Sequence, residues 1–197
     1  MGELWSQNNS LVLQVEPGSN TIAGCGKDTV AAILAAFTGY KTYGFADPIY
    51  AMVKAGFGID GKSDEFQDRV TKASPIPWLS TADKPISLRR LLETLGTEWG
   101  RNYIQEDLWT RLASKFVREC PTGVIIKDVR FENEVEWLDA EGGLLVHILR
   151  PNYYSPDATV GHLSNIPLTI RAQDYVIMND CSLETLEGRV YSFVSGL

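Results

Sequence analysis

Residues 16–29 read EPGSNTIAGCGKDT, and the reading of this stretch decides the fold. Gly24, Gly26 and Lys27 stand directly before an apolar helical run, as they do in a loop that cradles phosphate. Such a loop works because backbone N–H groups converge on phosphate oxygens and a helix N-terminus adds its dipole. The lysine adds a point charge. The pattern G-x-x-x-x-G-K-[ST] is missed twice: Thr21 stands where the first glycine belongs, and Asp28 follows the lysine. Thr21 fits only with a backbone that avoids positive φ. A carboxylate repels phosphate directly, but with Mg²⁺ between them Asp28 can help hold the ion, and Thr29 offers a hydroxyl next to it. The competing reading is an ordinary helix start, where Asp and Thr serve the dipole and the cap. The entry is also long. The strand candidate LVLQV (11–15) ends several residues before Gly24, with EPGSN between. Either the loop carries an insertion or the strand resumes at 21–23.

Outward from the loop, strand and helix signals alternate. Val30, Ile33, Leu34 and Phe37 place an apolar face on one helix. KTYGFA, GVIIKDVR, LLVHILR and YVIMND read as further strands. Between and after them, ISLRRLLETLG, DLWTRLASKFVREC, NEVEWLDAEGG and SLETLEGRVYSFV read as helices. Leu88, Leu91, Leu92 and Leu95 share a face that Gly96 is expected to cap, and Leu108, Leu112 and Phe116 are expected to point inward. Gly142 and Gly143 stop the helix before LLVHILR. This alternation predicts an α/β fold with a parallel sheet and helices on both faces.

The composition is that of an ordinary globular chain: 197 residues, 44% hydrophobic and 22% charged. The net charge of −7 argues against general nucleic-acid binding. No apolar run approaches the length of a membrane helix, and no secretory signal core opens the chain. Cys25, Cys120 and Cys181 are too widely spaced for a zinc site or a disulfide framework, so a reducing cytoplasm is expected. One domain over 1–197 accounts for the length. It would have a polar extension at 1–10, a substrate-side insertion at about 47–105 and a candidate lid at about 151–174.

Two further clusters carry charge. In LRRLLETLGTEWGR, Arg89 and Glu93 are i, i+4 neighbours and Arg90 lies within a turn of Glu93. Paired arginines beside an acid suit an anionic ligand, or simply a solvated helix face. In KDVRFENE, Asp128 and Arg130 stand two apart and are expected on one side of a strand end, with Glu134 at the next helix start. There an acid can hold Mg²⁺ or a substrate group, and an arginine can stabilise a transferring phosphoryl group. The alternative is a structural salt bridge.

Taken in order, GCGKDTVA, FADPI, RRLLETLGTEW, DLW, DVRFENE, VHILRP and VIMNDCSLETL resemble the bacteriophage-type deoxynucleoside monophosphate kinases, from about Gly24 to the C-terminus. The resemblance implies a P-loop kinase fold with about five parallel strands. It also implies transfer of the ATP γ-phosphoryl group to a deoxynucleoside 5′-monophosphate with Mg²⁺, in the cytoplasm of a host if the chain is phage-encoded. Gly24, Cys25, Gly26, Lys27, Asp28 and Thr29 would hold ATP, with Asp28 and Thr29 on the metal. Arg89, Arg90, Glu93, Gly96, Thr97, Trp109 and Glu134 would serve the monophosphate, Trp109 by stacking or by packing. Lys27, Arg130 and Asp128 would be catalytic. The resembled family commonly has glycine at the position of Thr21, glutamine at that of Glu93, and an acid at that of Asn165 in a lid motif containing His162 and Ser164. Another small-molecule P-loop kinase and a catalytically inactive nucleotide-binding relative are the alternatives. Base preference and oligomeric state, a homodimer included, are not fixed by one sequence.

Overall fold

A computed structural model describes residues 10–14, 25–66, 68–151 and 168–197. Five strands form one sheet: β1 (Ser10–Gln14), β2 (Lys41–Gly44), β3 (Val124–Lys127), β4 (Leu144–Leu149) and β5 (Tyr175–Met178). Their order is β2-β3-β1-β4-β5, and every neighbouring pair is parallel. The helices are α1 (Lys27–Thr38), α2 (Asp47–Phe57), α3 (Arg69–Ala73), α4 (Leu88–Glu93), α5 (Leu108–Arg118), α6 (Glu132–Ala140) and α7 (Leu183–Gly196). The strand order reverses direction around β1. The carboxyl ends of β3, β1 and β4 therefore lie side by side, where open α/β sheets place their ligands.

The described chain divides into two compact units, residues 1–44 with 113–197, and residues 45–112. The first holds the sheet. Val124, Ile125 and Ile126 are fully buried, as a strand covered on both faces requires. Ile125, Val146, Ile148 and Ile177 pack with Val30, Ala31 and Leu34 of α1 and with Leu186 and Val190 of α7. His147 alternates to the opposite face from Val146 and Ile148 and is wholly buried. Its Nε2 lies 2.9 Å from Asp174 Oδ2, and Arg171 joins Asp174 at 2.9 Å to Asp139 at 2.5 Å. This network ties α6 and the approach to β5 onto β4.

The second unit buries Val53, Ile59, Ile76 and Leu88, with Leu91, Leu92 and Leu95 packed against them. The insertion expected at about 47–105 falls within it. Ser87 caps α4 by accepting the Arg90 N–H at 3.1 Å. The chain then continues, without a break, as a π-helical segment over Thr94–Ile104.

Four local expectations are corrected. Gly96 does not cap a helix: it lies inside the π-helical segment with no positive φ, and its carbonyl accepts the Trp109 indole N–H at 2.8 Å. Leu112 is exposed, because α5 instead buries Trp109 and Ala113, and the large indole sets the face. Phe37 is 44% exposed, its ring edge-to-face with Tyr191 rather than in the core. Asp128 and Arg130 do not share the side of a strand, because β3 ends at Lys127 and Asp128 turns to a φ of 68°. Thr21, the EPGSN spacer, Gly24, His162, Ser164 and Asn165 lie outside the described residues, as does most of the expected lid.

Candidate functional site

The site of the first unit begins at α1. Gly26 precedes the helix at a φ of 100°, a left-handed conformation natural to glycine, and no side chain among the described residues caps the helix. The opening N–H groups of a helix have no intrahelical partners and carry positive dipole, so this end is suited to an anion. Cys25 contributes backbone only: its side chain is in the core, and burial pushes its thiol up, away from reactive thiolate.

Around this end stands a ladder of alternating charge. Lys27 Nζ lies 2.9 Å from Asp128 Oδ1 and 3.1 Å from Asp28 Oδ2, and Lys127 Nζ lies 3.7 Å from Asp28 Oδ1. Burial opposes the charge on Lys27, but Asp128 and Asp28 outweigh it and raise the pKa of the ammonium. Burial likewise opposes ionisation of Asp128, but the charges of Lys27 and Arg130 prevail and hold its carboxyl at about 2. Lys27 therefore stays protonated and Asp128 ionised throughout the neutral range. Asp128 is the one non-glycine residue with positive φ among those described. Aspartate tolerates that region, and the turn brings its carboxylate to Lys27.

Arg130 is half-buried, and among the described residues its guanidinium forms no ion pair. Its backbone is held firmly. Glu134, fully buried, accepts the N–H of Arg130 at 2.6 Å and that of Phe131 at 3.2 Å. Glu134 thus secures the turn that carries Arg130, rather than lying open at a surface.

A pocket of about 370 Å³ opens beside α1, lined by Gly26, Lys27, Asp28, Thr29, Arg150, Asn179, Leu183 and Leu186. Asn179 donates its side-chain N–H to the Cys25 carbonyl at 2.6 Å. Reasoning from sequence singled out the stretches VHILRP and VIMNDCSLETL but assigned no site role to Arg150, Asn179 or Leu183. The signal available was the position of Arg150 and Asn179 just past the carboxyl ends of β4 and β5, with Leu183 opening the next helix.

The remaining candidates belong to the second unit. Arg89 and Arg90 lie on α4, which Glu93 ends, and Gly96 and Thr97 lie on the π-helical segment. Trp109 is buried, with its N–H donated to Gly96 as above, so its indole packs this unit. Gly100 gives it room: a Cβ there would meet the Trp109 ring at 2.3 Å. Among structural classes, π-helical turns are concentrated at functional sites.

A parallel sheet with Gly-Lys at the start of its first helix and an Asp just past the third strand thus gathers alternating charge at the N-terminus of α1. The family model for deoxynucleotide monophosphate kinase matches residues 76–190, and the chain belongs to that family. A protein of Acanthamoeba polyphaga mimivirus, provisionally named a deoxynucleotide monophosphate kinase, is 30% identical over 190 residues, covering 87% of this chain and 91% of its own. The deoxynucleotide monophosphate kinase of Enterobacteria phage T4 is 29% identical over 142 residues, 70% of this chain and 58% of its own. Among solved structures, a dephospho-CoA kinase from Campylobacter jejuni aligns over 97% of this chain and 98% of its own, with 13% identity and a TM-score of 0.48. No helix among the described residues is long and apolar enough to cross a membrane.

Proposed function

We propose that this chain transfers the γ-phosphoryl group of ATP to deoxynucleoside 5′-monophosphates, giving the diphosphate and ADP. The observation that carries this reading is Lys27, held between Asp128 and Asp28 at the uncapped start of α1 beside the pocket. Phosphate entering there offers the ammonium a new anionic partner and meets the helix N–H groups. Arg150, Asn179 and Leu183 would then line the nucleotide beyond the phosphates.

Phosphoryl transfer needs alignment and charge neutralisation more than covalent help. An oxygen of the acceptor monophosphate attacks the γ-phosphorus in line. The bond from that phosphorus to the β–γ bridging oxygen breaks, and ADP carries away the electron pair. The attacking oxygen is already ionised, so no general base is required. Lys27 and Arg130 neutralise charge that develops on the transferring group. Arg89 and Arg90 hold the acceptor phosphate, and Glu134 keeps the Arg130 turn in shape.

The residues present fit Mg²⁺. That ion takes one or two carboxylates together with substrate phosphates, and here two carboxylates already share one cation, the Lys27 ammonium. Asp28 and the Thr29 hydroxyl would hold it, and it would supply charge neutralisation on the phosphates.

An ADP-release assay across the four deoxynucleoside monophosphates and AMP, with and without Mg²⁺, tests the reading. Mg²⁺-dependent ADP with at least one deoxynucleotide is expected. Mg-ATP binding with no ADP from any of them would overturn it in favour of a nucleotide-binding protein without catalysis. Turnover only with phosphorylated alcohols would indicate a different P-loop kinase.

A further inference from the structure

The turn after β5 is half-buried at Asn179 and firmly held. The Asn179 backbone N–H donates to the Leu149 carbonyl at 2.6 Å, which ties the turn to the end of β4. Arg189 of α7 donates to the Met178 carbonyl at 2.5 Å and to Asp180 Oδ1 at 2.6 Å. The residues on both sides of Asn179 are therefore pinned by one guanidinium. From this mount the Asn179 amide reaches the Cys25 carbonyl at 2.6 Å, and it fills the space over Gly26, where a Cβ would lie 2.3 Å from its nitrogen.

We propose that Asn179 is a positioning residue that sets the backbone of the phosphate-binding turn for ATP. In a trans peptide the C=O and the following N–H point in opposite directions, so a fixed Cys25 carbonyl fixes the direction of the Gly26 N–H. Glycine at a φ of 100° leaves that peptide free to rotate unless something holds it. A rotated carbonyl would turn negative charge toward bound phosphate. The Gly26 carbonyl is already occupied by the Val30 N–H at 2.9 Å, which leaves the Cys25 carbonyl as the one Asn179 controls. Only a hydrogen-bond donor can do this, since a carbonyl accepts and does not donate. The role rests on the pocket being the ATP site, as proposed above.

The experiment compares wild type, Asn179→Ala and the uncharged, near-isosteric Asn179→Leu. It uses calorimetric titration with Mg-ATP, KM for the best deoxynucleotide acceptor, and thermal melting without nucleotide. A leucine fills the same space, adds no charge and cannot donate to the Cys25 carbonyl, so N179L should bind Mg-ATP no better than N179A. Both should be weaker than wild type by roughly three- to tenfold, the size of one hydrogen bond. Acceptor KM should stay within about twofold and Tm within a few degrees. A merely space-filling residue would leave N179L like wild type, and that result overturns the proposal. So does unchanged Mg-ATP affinity in both variants, or a loss that follows a fall in Tm and raises acceptor KM equally. Wild type that fails to bind Mg-ATP would instead sink the reading of the site itself.

Discussion

The Lys27 ammonium lies 2.9 Å from the carboxylate of Asp128, and the two residues come from different strand exits, one at the start of α1 and one just past β3. Each holds the other charged: Lys27 depresses Asp128, and Asp128 raises Lys27. The lysine proposed to meet phosphate is thus kept protonated. Asp28 sits on its other side, with Lys127 beyond.

Lys27→Ala should lower kcat by at least ~10², the cost of removing one group that stabilises developing charge. ADP release at saturating acceptor measures it. Unchanged ATP turnover would show that the loop only resembles a phosphate site.

Arg130→Ala should cost at least ~10³ in kcat if its guanidinium acts as arginine fingers do. Because that guanidinium makes no ion pair among the described residues, the loss of thermal stability should be small and confined to its share in keeping Asp128 ionised. Near-normal turnover would remove Arg130 from the catalytic set.

Glu134→Ala should instead cost stability. It strips the buried carboxylate from two part-buried N–H groups, those of Arg130 and Phe131. About 1–3 kcal/mol of unfolding free energy should be lost for each group left unsatisfied. Denaturant titration reads it directly, and kcat should fall as well because the Arg130 turn loosens.

Gly100→Ala should destabilise the second unit by about 1–3 kcal/mol, since its new Cβ would overlap the Trp109 ring. Trp109→Leu in the same chain should recover part of that loss. If G100A melts like wild type, the packing assigned to Trp109 is wrong.

Asp128 sets an acid limit. Its folded-state pKa of about 2 lies below the ordinary carboxylate value of 3.8, so its stabilising contribution is complete above about 4 and disappears as pH falls through about 2. That contribution is about 2 kcal/mol at neutral pH. Asp128→Asn should flatten this part of the stability curve between pH 4 and pH 2, measured by denaturant titration at each pH.

Much of the molecule was legible in the chain itself. Five strand candidates became five parallel strands, and the run Val124–Ile126 is apolar throughout because a strand covered on both faces must be. Gly26, Lys27 and Asp28 could be placed at a helix start because loop and helix there are local in sequence. The tertiary structure decided what depends on distant neighbours. It brought Asp128 to Lys27 through a left-handed backbone turn that no periodicity signals. It turned Glu134 inward to hold the Arg130 turn, since burial selects the side chain's partner. It carried the chain through Gly96 as a π-helical segment, where the indole of Trp109 takes the carbonyl a capping glycine would have left free. It also brought Asn179 to the Cys25 carbonyl from the far end of the sheet, a contact made by strand order rather than by sequence spacing.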